Sequence, residues 1–181
     1  RESGRVIPYA GITYDLTDYL TAYASYTDVF MPQEFYNLDR HSKMLDPDQG
    51  ENYEIGLKSE MFDGRLNASL AYFEIKESNR PIPDDAWNNL SPTPPNYAFK
   101  GTAARTKGYE LEISGELSPG WSLQGGYTHK VVRDDTGKKI STFEPEDQLS
   151  FYTIYKLKGD LSKVSVGGGA RWQSTAWQEM Y

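Results

Sequence analysis

A hairpin at residues 53–75, with one apolar and one polar face, constrains this chain more than any other feature. Its first strand alternates with a period of two, as a strand between two environments does. The alternating residues are Tyr53, Ile55, Leu57 and Met61 against Glu54, Gly56, Lys58 and Glu60. In the second strand the polar face is diluted by Ala71, Phe73 and Ile75. A soluble sheet can also have one apolar and one polar face. A single hairpin therefore does not identify the fold, and recurrence of the pattern along the chain does.

The turn of this hairpin sets its register. Asp63-Gly64 suits the two central positions of a type I′ turn, where both residues take a positive φ. Pairing across that turn is predicted to place Met61 opposite Leu66, Leu57 opposite Leu70, Ile55 opposite Tyr72, Glu60 opposite Asn67 and Lys58 opposite Ser69. The apolar and charged faces therefore continue along the whole hairpin.

The same pattern recurs in four hairpins that are joined by long polar loops. The predicted strand pairs are 6–14 with 20–30, 53–61 with 66–75, 107–117 with 121–131, and 147–157 with 164–173. The connections between hairpins are much longer than the turns within them and cover roughly 31–51, 77–105 and 132–146. Short turns alternating with long loops are typical of outer-membrane β-barrels, and compact soluble domains rarely have three such loops.

Strand length and aromatic placement agree with a membrane barrel. Residues 53–61 would extend about 30 Å and, tilted by about 40°, cover roughly 23 Å of the ~25 Å apolar band. Tyrosine and tryptophan residues cluster where that band would end, as at Tyr53, Tyr109 and Trp121. We expect Leu57, Leu66, Leu70, Leu111, Ile113 and Leu123 to face lipid, and Lys58, Glu60, Asn67, Glu112 and Gln124 to face the lumen.

Composition bounds the remaining possibilities. The 181 residues include no cysteine and carry a net charge of −7, which argues against disulfide frameworks and against nucleic acid as a partner. No run of about 18 apolar residues is present, so no transmembrane helix is predicted. The sequence opens at Arg1 without a secretion signal and closes at 177–181 in what we expect to be a fourth long loop. We therefore expect a segment of a larger barrel.

Three segments resemble the barrel of TonB-dependent ferric-siderophore receptors: Pro8–Gln33, Leu45–Asn79 and Thr106–His129. The resemblance implies an all-β fold, an antiparallel transmembrane β-barrel segment of about eight strands from the C-terminal half of a 22-stranded barrel. Residues 1–181 would then be part of a single barrel domain, with the plug domain outside the chain. The implied function is uptake of a ferric siderophore across the Gram-negative outer membrane, energised through TonB and without enzymatic chemistry. The siderophore would be the transported ligand and not a cofactor, and the other partners would be TonB, the plug and outer-membrane lipid.

Ligand contact is expected from the long loop 77–105. This loop has five prolines, which stiffen it, and three aromatic residues, Trp87, Tyr97 and Phe99. Aromatic side chains have few rotamers and make low-entropy contacts with a flat, partly apolar ligand. We take these three residues as the candidate ligand-binding site; the alternative is that they only pack the loop against its neighbours. Arg80, Lys100 and Arg105 are candidate contacts for an anionic complex, or else solvated surface cations.

Metal and catalytic sites are not indicated. His41 and His129 are far apart and lack ligand spacing, and Asp46, Asp48 and Glu51 do not match a calcium loop. No Ser-His-Asp constellation is evident, which disfavours an outer-membrane lipase or protease. A second alternative is an independent small eight-stranded barrel with a structural or adhesive role, since eight strands can close on themselves.

Overall fold

Eight antiparallel strands form one sheet in the order in which they occur along the chain. The computed structural model describes residue 4 and residues 6–177. The strands are β1 Tyr9–Thr17, β2 Leu20–Met31, β3 Asp48–Met61, β4 Leu66–Pro83, β5 Phe99–Ser118, β6 Trp121–Asp134, β7 Asp147–Lys156 and β8 Ser165–Gln173. Each pairs only with its sequence neighbours, and no pairing of β1 with β8 occurs among the described residues. The sheet is therefore open, which argues against a closed eight-stranded barrel.

The hairpin turns follow from local chemistry. At the tip of the β3–β4 hairpin, Asp63 and Gly64 have φ of 57° and 78°, and the Arg65 amide donates to the Phe62 carbonyl over 3.3 Å. Both residues have the positive φ that a type I′ turn requires, as predicted, and Phe62 before them also has a positive φ of 55°. All five cross-strand pairs predicted for this hairpin are also found.

The register sorts side chains into two faces across all eight strands. One continuous row of directly paired residues is apolar: Tyr14, Ala22, Leu57, Leu70, Leu111, Tyr127, Leu149 and Trp172. The next row, on the opposite face, is polar: Asp15, Thr21, Lys58, Ser69, Glu112, Gly126, Ser150 and Arg171. Most of the apolar row is exposed, with Leu70 47% and Leu111 49% accessible, and Ala22 and Tyr127 are partly buried. Large apolar side chains exposed in a continuous band are what a lipid-facing barrel surface requires.

One residue departs from this scheme. Leu66 lies on the apolar face but is only 3% exposed. Its cross-strand partner is Gly115, where a Cβ would come within 2.0 Å of the Arg65 carbonyl oxygen and 2.9 Å of Leu66 Cα, so the two strands approach closely at this point. The expectation that Leu66 contacts lipid is therefore wrong.

The strands are longer, and the loops shorter, than the sequence pattern indicated. The connections between hairpins are 32–47, 84–98 and 135–146, here called loop 1, loop 2 and loop 3. In particular, much of the expected loop 77–105 is an extension of the β4–β5 hairpin, interrupted by a register shift between Glu77 and Arg80. Pro81 and Pro83 are tolerated there because β3 has already ended, so that edge of β4 has no ladder partner to bond.

Aromatic side chains on the polar face lie over glycines of the next strand. A Cβ added to Gly56 would come within 2.6 Å of the Tyr23 ring, and one added to Gly108 within 2.5 Å of the Phe73 ring. These glycines therefore make room for rings that strict alternation does not explain.

Among the described residues, helical structure consists of two short pieces, a one-turn helix α1, Asp85–Asn88, and a 3₁₀ turn, Gly159–Leu161. In the described part of the chain, neither is long or apolar enough to cross a membrane as a helix.

Candidate functional site

Loops 1 and 2 are bonded to each other at the end of the sheet that carries the long loops. The Phe99 amide donates to the Leu38 carbonyl over 2.7 Å, and the Asn96 side-chain amide donates to the Asp39 carbonyl over 3.4 Å. Within loop 1, the Asp39 carboxylate accepts the backbone amides of His41 and Lys43, which closes the tip of that loop. The hydrogen bond from the Lys43 amide, and then that from His41, holds the pKa of Asp39 below its usual value. The two loops therefore form one structural unit.

An ion pair and a ring contact strengthen this connection. Arg40 of loop 1 donates from Nη2 to Oδ2 of Asp84 in loop 2 over 2.7 Å, and the Asp84 side chain is 3% exposed. The Arg40 guanidinium carbon also lies 5.9 Å from the centre of the Trp87 ring, within the range of a cation–π contact. We call Arg40, Asp84 and Trp87 the loop clamp.

Trp87 is one of the three residues predicted to contact ligand, and the structure places it inside the loop unit. It lies on α1 and is partly buried, and its indole Nε1–H donates to the Asn96 carbonyl over 3.2 Å. The hydrogen-bonding tip of this side chain is therefore already used within loop 2. Its ring contacts Arg40 and so connects loop 2 to loop 1.

Tyr97 and Phe99, the other two predicted contacts, lie beside each other. Their rings are edge to face at 5.5 Å, with Phe99 at the first position of β5 instead of within a loop. Tyr97 is 62% exposed, which makes it the most accessible of the three predicted side chains. Loop 2 holds it there because the Asn88 side chain both donates to the Ala98 carbonyl and accepts its amide, over 2.9 and 2.8 Å.

Below the loops, a cavity of about 420 Å³ opens on the polar face of β3 to β6. Its charged lining consists of four carboxylates and two cations: Glu54, Glu77, Glu110, Glu144, Arg80 and Lys130. Arg80 donates to Glu77 over 3.0 Å and to the Ser141 hydroxyl over 2.8 Å, which connects the β4–β5 hairpin to loop 3. Lys130 pairs with Glu144 of loop 3. This wall offers more hydrogen-bond acceptors than donors to whatever occupies the lumen.

Two buried oxygens lie on the same face of β3 as this cavity, and one of them belongs to Asn52, which lines it. Asp48 Oδ1 and Asn52 Oδ1 have no hydrogen-bond partner among the described residues. Asp48 is the first residue of β3, in the part of that strand that extends beyond the membrane band. Burial raises the pKa of Asp48 to about 6, the Glu77 carboxylate adds to the rise, and Arg80 opposes it.

The other candidate cations have different positions. Arg105 lies on the apolar face, in the same alternating set as Tyr109 and Leu111, and therefore points away from the cavity. Lys100 is exposed opposite Ile82, close to loop 2. Of the three cations that the sequence singled out, only Arg80 lines the cavity.

Sequence reasoning missed Arg40 and Lys130, whose importance depends on partners in other loops. The acidic pair Asp84-Asp85 was a visible signal, but nothing in the sequence indicated Arg40 as its partner. Across the described residues no group of three or more His, Cys, Asp or Glu side chains is placed to hold a metal ion.

Comparison with known proteins gives a consistent result. The family described as "TonB dependent receptor-like, beta-barrel" matches residues 1–180. The ferripyoverdine receptor of Pseudomonas aeruginosa is 63% identical, over all of this chain and 22% of the receptor. The ferric-pyoverdine 358 receptor of Pseudomonas putida is 42% identical, over 96% of this chain and 21% of that receptor.

A solved structure shows the same arrangement of strands. The crystal structure of the ferripyoverdine receptor of the outer membrane of Pseudomonas aeruginosa, bound to ferripyoverdine, aligns with a TM-score of 0.90 and 62% identity. The alignment covers all of this chain and 24% of that structure. The chain thus spans about a fifth of the length of the curated relatives it matches.

Proposed function

This chain belongs to the TonB-dependent receptor β-barrel family, and from that premise we propose that it forms part of an outer-membrane receptor that takes up a ferric siderophore. The observation that supports this most strongly is the 63% identity, along the entire chain, to a ferripyoverdine receptor. Residues 1–181 would contribute eight neighbouring strands to one barrel domain. The plug domain and the segment that contacts TonB would lie elsewhere in the same protein.

We propose a ferripyoverdine as the substrate. Two relatives that align with nearly all of this chain are receptors for ferric pyoverdines, at 63% and 42% identity. The role is transport, and we assign no catalytic step to any described residue. An independent small barrel is not favoured, because the sheet is open and the family's members are larger.

Loop 2 would form part of the outer ligand pocket. Tyr97 offers an exposed ring with a hydroxyl at its tip, and Phe99 supports that ring at 5.5 Å. Trp87 would act through its ring face and through the position of the loop, since its N–H already binds Asn96. Aromatic rings that the loop holds in place suit contact with a flat ferric complex.

A binding titration tests this site. Burying one ring against a ligand contributes on the order of 1–3 kcal/mol, so Trp87→Ala and Tyr97→Ala should each weaken affinity roughly tenfold or more. The full-length receptor would be titrated with ferripyoverdines and with unrelated ferric siderophores. Tyr19→Ala, an equally exposed tyrosine at a short turn on the opposite rim, is the matched control.

Different results would contradict the proposed pocket and the proposed receptor function. Unchanged affinity in both loop variants, with tight binding retained by the wild type, would place the pocket on other loops. Absence of binding to every ferric siderophore would reject the receptor function itself. Loss of iron uptake, with binding retained, in cells that lack TonB is the expected sign of TonB-energised transport.

A further inference from the structure

Asp48, the first residue of β3, is a buried carboxylate that lacks a hydrogen-bond donor at one oxygen. The residue is 7% exposed, and Oδ1 has no partner among the described residues. A buried polar group without a hydrogen bond is unfavourable, and a buried charge without a partner is more so. Burial therefore favours the protonated, neutral form of this side chain.

One guanidinium group serves two carboxylates in this part of the structure. The charged groups that act on Asp48 are Glu77 and Arg80, both of β4. On the other side of β3, β2 presents the uncharged Met31 directly opposite Asp48. Loop 1 contributes Gln33, an uncharged side chain that donates to two backbone carbonyls. The two carboxylates therefore compete for Arg80.

In the structure, Arg80 bonds to the second carboxylate and to loop 3. It donates from Nη1 to Glu77 Oε2 over 3.0 Å and from Nη2 to Ser141 Oγ over 2.8 Å. The other cation of the cavity, Lys130 of β6, pairs with Glu144 of loop 3 and is already neutralised. Arg80 is therefore the cation that ties loop 3 to the β4–β5 hairpin.

The bond from Arg80 reaches loop 3 at a residue with an uncommon backbone conformation. Ser141 has a φ of 57°, in the left-handed region that residues other than glycine rarely adopt. Such a conformation persists where the surrounding contacts favour it. Loss of this bond would let loop 3 relax, and Glu144 of the same loop lines the cavity.

The charge of Asp48 decides which partners Arg80 prefers. While Asp48 is neutral, the observed bonds to Glu77 and Ser141 are favoured. Once Asp48 is ionised it attracts the guanidinium, and a bond to a carboxylate is stronger than one to a neutral hydroxyl. Burial, and then repulsion from Glu77, raises the pKa of Asp48 to about 6, although Arg80 opposes the rise. The exchange of partners is therefore centred near neutral pH and not near the ordinary range of an aspartate.

We propose that Asp48 and Arg80 form a proton-dependent switch at the root of the long loops. With Asp48 protonated, Arg80 ties loop 3 to the β4–β5 hairpin; with Asp48 ionised, Arg80 turns to Asp48 and releases Ser141. The switch responds to the external medium, because Asp48 lies beyond Tyr53 at the loop end of β3. It requires no particular ligand, so it can fail while the proposed receptor function stands.

Hydrogen exchange of the full-length receptor in neutral detergent tests the switch without any ligand. The reporters are the amides of Ile140 and Glu144, which donate to the Val132 and Ser141 carbonyls. After correction for the intrinsic effect of pH on exchange, protection in the wild type should fall roughly tenfold between about pH 5 and about pH 7.5. This is the factor expected for one hydrogen bond to a charged group.

Three variants separate the switch from general effects of charge. Asp48→Asn cannot ionise and should keep loop 3 protected at both pH values. Ser141→Ala removes the tie itself and should leave loop 3 weakly protected at both. Asp46→Asn removes an equal charge from a nearby exposed position and should respond to pH as the wild type does.

Thermal unfolding gives a second measurement with a defined sign. Because the pKa of Asp48 is raised in the folded protein, its ionised form lowers stability. Asp48→Asn should therefore melt at a higher temperature than the wild type at about pH 7.5, and the difference should shrink toward about pH 5. A constant difference would show that Asp48 does not titrate in this range.

The remaining outcomes would also overturn the proposal. Wild-type protection that does not change with pH would reject the switch, as would an equal pH response in Asp48→Asn. Loss of the response in Asp46→Asn would assign the effect to surface charge. If Asp48→Asn does not fold, Ser141→Ala decides, because a pH response retained in that variant would show that loop 3 is not controlled through Arg80.

Discussion

Two aromatic rings lie on the polar face, where strict alternation of apolar and polar residues does not predict them, and packing against glycine explains both. Phe73 and Tyr152 occupy positions where a lumen-facing strand is expected to be polar. Each lies against glycine in the next strand, Phe73 over Gly108 and Tyr152 beside Gly167 and Gly169. The ring covers backbone that glycine leaves bare, so the pair together fills the space of two ordinary side chains. Close packing thus explains Gly167 and Gly169, which face Tyr152, whereas Gly168 between them has open space where a Cβ would lie.

We predict that Gly108→Ala destabilises the folded barrel by roughly 1–3 kcal/mol, because the new methyl group overpacks a filled site. It would lie 2.3 Å from the His129 carbonyl oxygen and 2.5 Å from the Phe73 ring. The measurement is thermal unfolding of the full-length protein in detergent. Gly168→Ala, which meets nothing within 4 Å, is the matched control, and equal melting temperatures for the two variants would contradict the packing account.

At the scale of strands, the two faces of β3 differ in the kind of side chain that they tolerate. Leu57 belongs to the exposed apolar row, while its neighbour Lys58 lies on the polar face with its ammonium 4.8 Å from the Tyr23 ring. Substitutions that exchange polarity at these two adjacent positions therefore test the lipid-facing side and the lumen-facing side of the same strand separately.

We predict that Leu57→Arg, near the middle of the band, costs about 2–4 kcal/mol of stability in the membrane. Lys58→Leu should cost much less because water in the lumen tolerates an apolar residue better than lipid tolerates a charge. Both values would come from reversible unfolding of the full-length protein in lipid vesicles. Similar costs for the two variants would mean that the faces are assigned incorrectly.

The loops interact through a buried charge. Asp84 is 2% exposed, and its Oδ1 has no partner among the described residues, so Arg40 supplies its only described ion pair. Removing the cation leaves a desolvated carboxylate without compensation, which is more unfavourable than the loss of an exposed pair.

Arg40→Gln should therefore loosen loop 2 by roughly 1–3 kcal/mol of local stability. The measurement is hydrogen exchange at the amides of Trp87 and Asn88, which the structure shows bonded to the Asp84 carbonyl. Lys43→Gln removes an equal charge from the same loop without touching the clamp. Exchange that is unchanged by Arg40→Gln would show that the ion pair does not hold the loop.

The elements differ in how far the sequence predicts them. The hairpins and their register follow from alternation and from Asp63-Gly64, because both signals lie within a few residues. The ends of β4 and β5 were misjudged, since above the membrane both faces meet water and alternation fades. Pro81 and Pro83 also suggested a loop where the structure has an unpaired strand edge. The loop clamp joins residues 44 apart, and no local pattern indicates such a contact.

The whole sheet has two free edges, β1 and β8. Both present unpaired backbone groups, and such edges are templates for association with other chains. In lipid the difficulty is greater, because every backbone polar group there must find a partner.

We predict that the 181-residue chain alone does not refold in detergent into a monomeric, heat-resistant barrel. The expected products are oligomers or aggregates, detected by light scattering and by the absence of a heat-dependent mobility shift in electrophoresis. The full-length receptor is the positive control. A monomeric species that resists heat would favour the small eight-stranded barrel.

The clamp between loops 1 and 2 also limits how this surface can change over time. A mutation that reshapes loop 2 acts on a partner encoded about 40 codons upstream, since Arg40 and Asp84 are bonded. Exchange of one loop between related receptors, by recombination or by design, would separate a matched pair. Residues 32–47 and 84–98 are therefore best transferred together, as a single graft, by anyone who wishes to move this outer surface to another barrel.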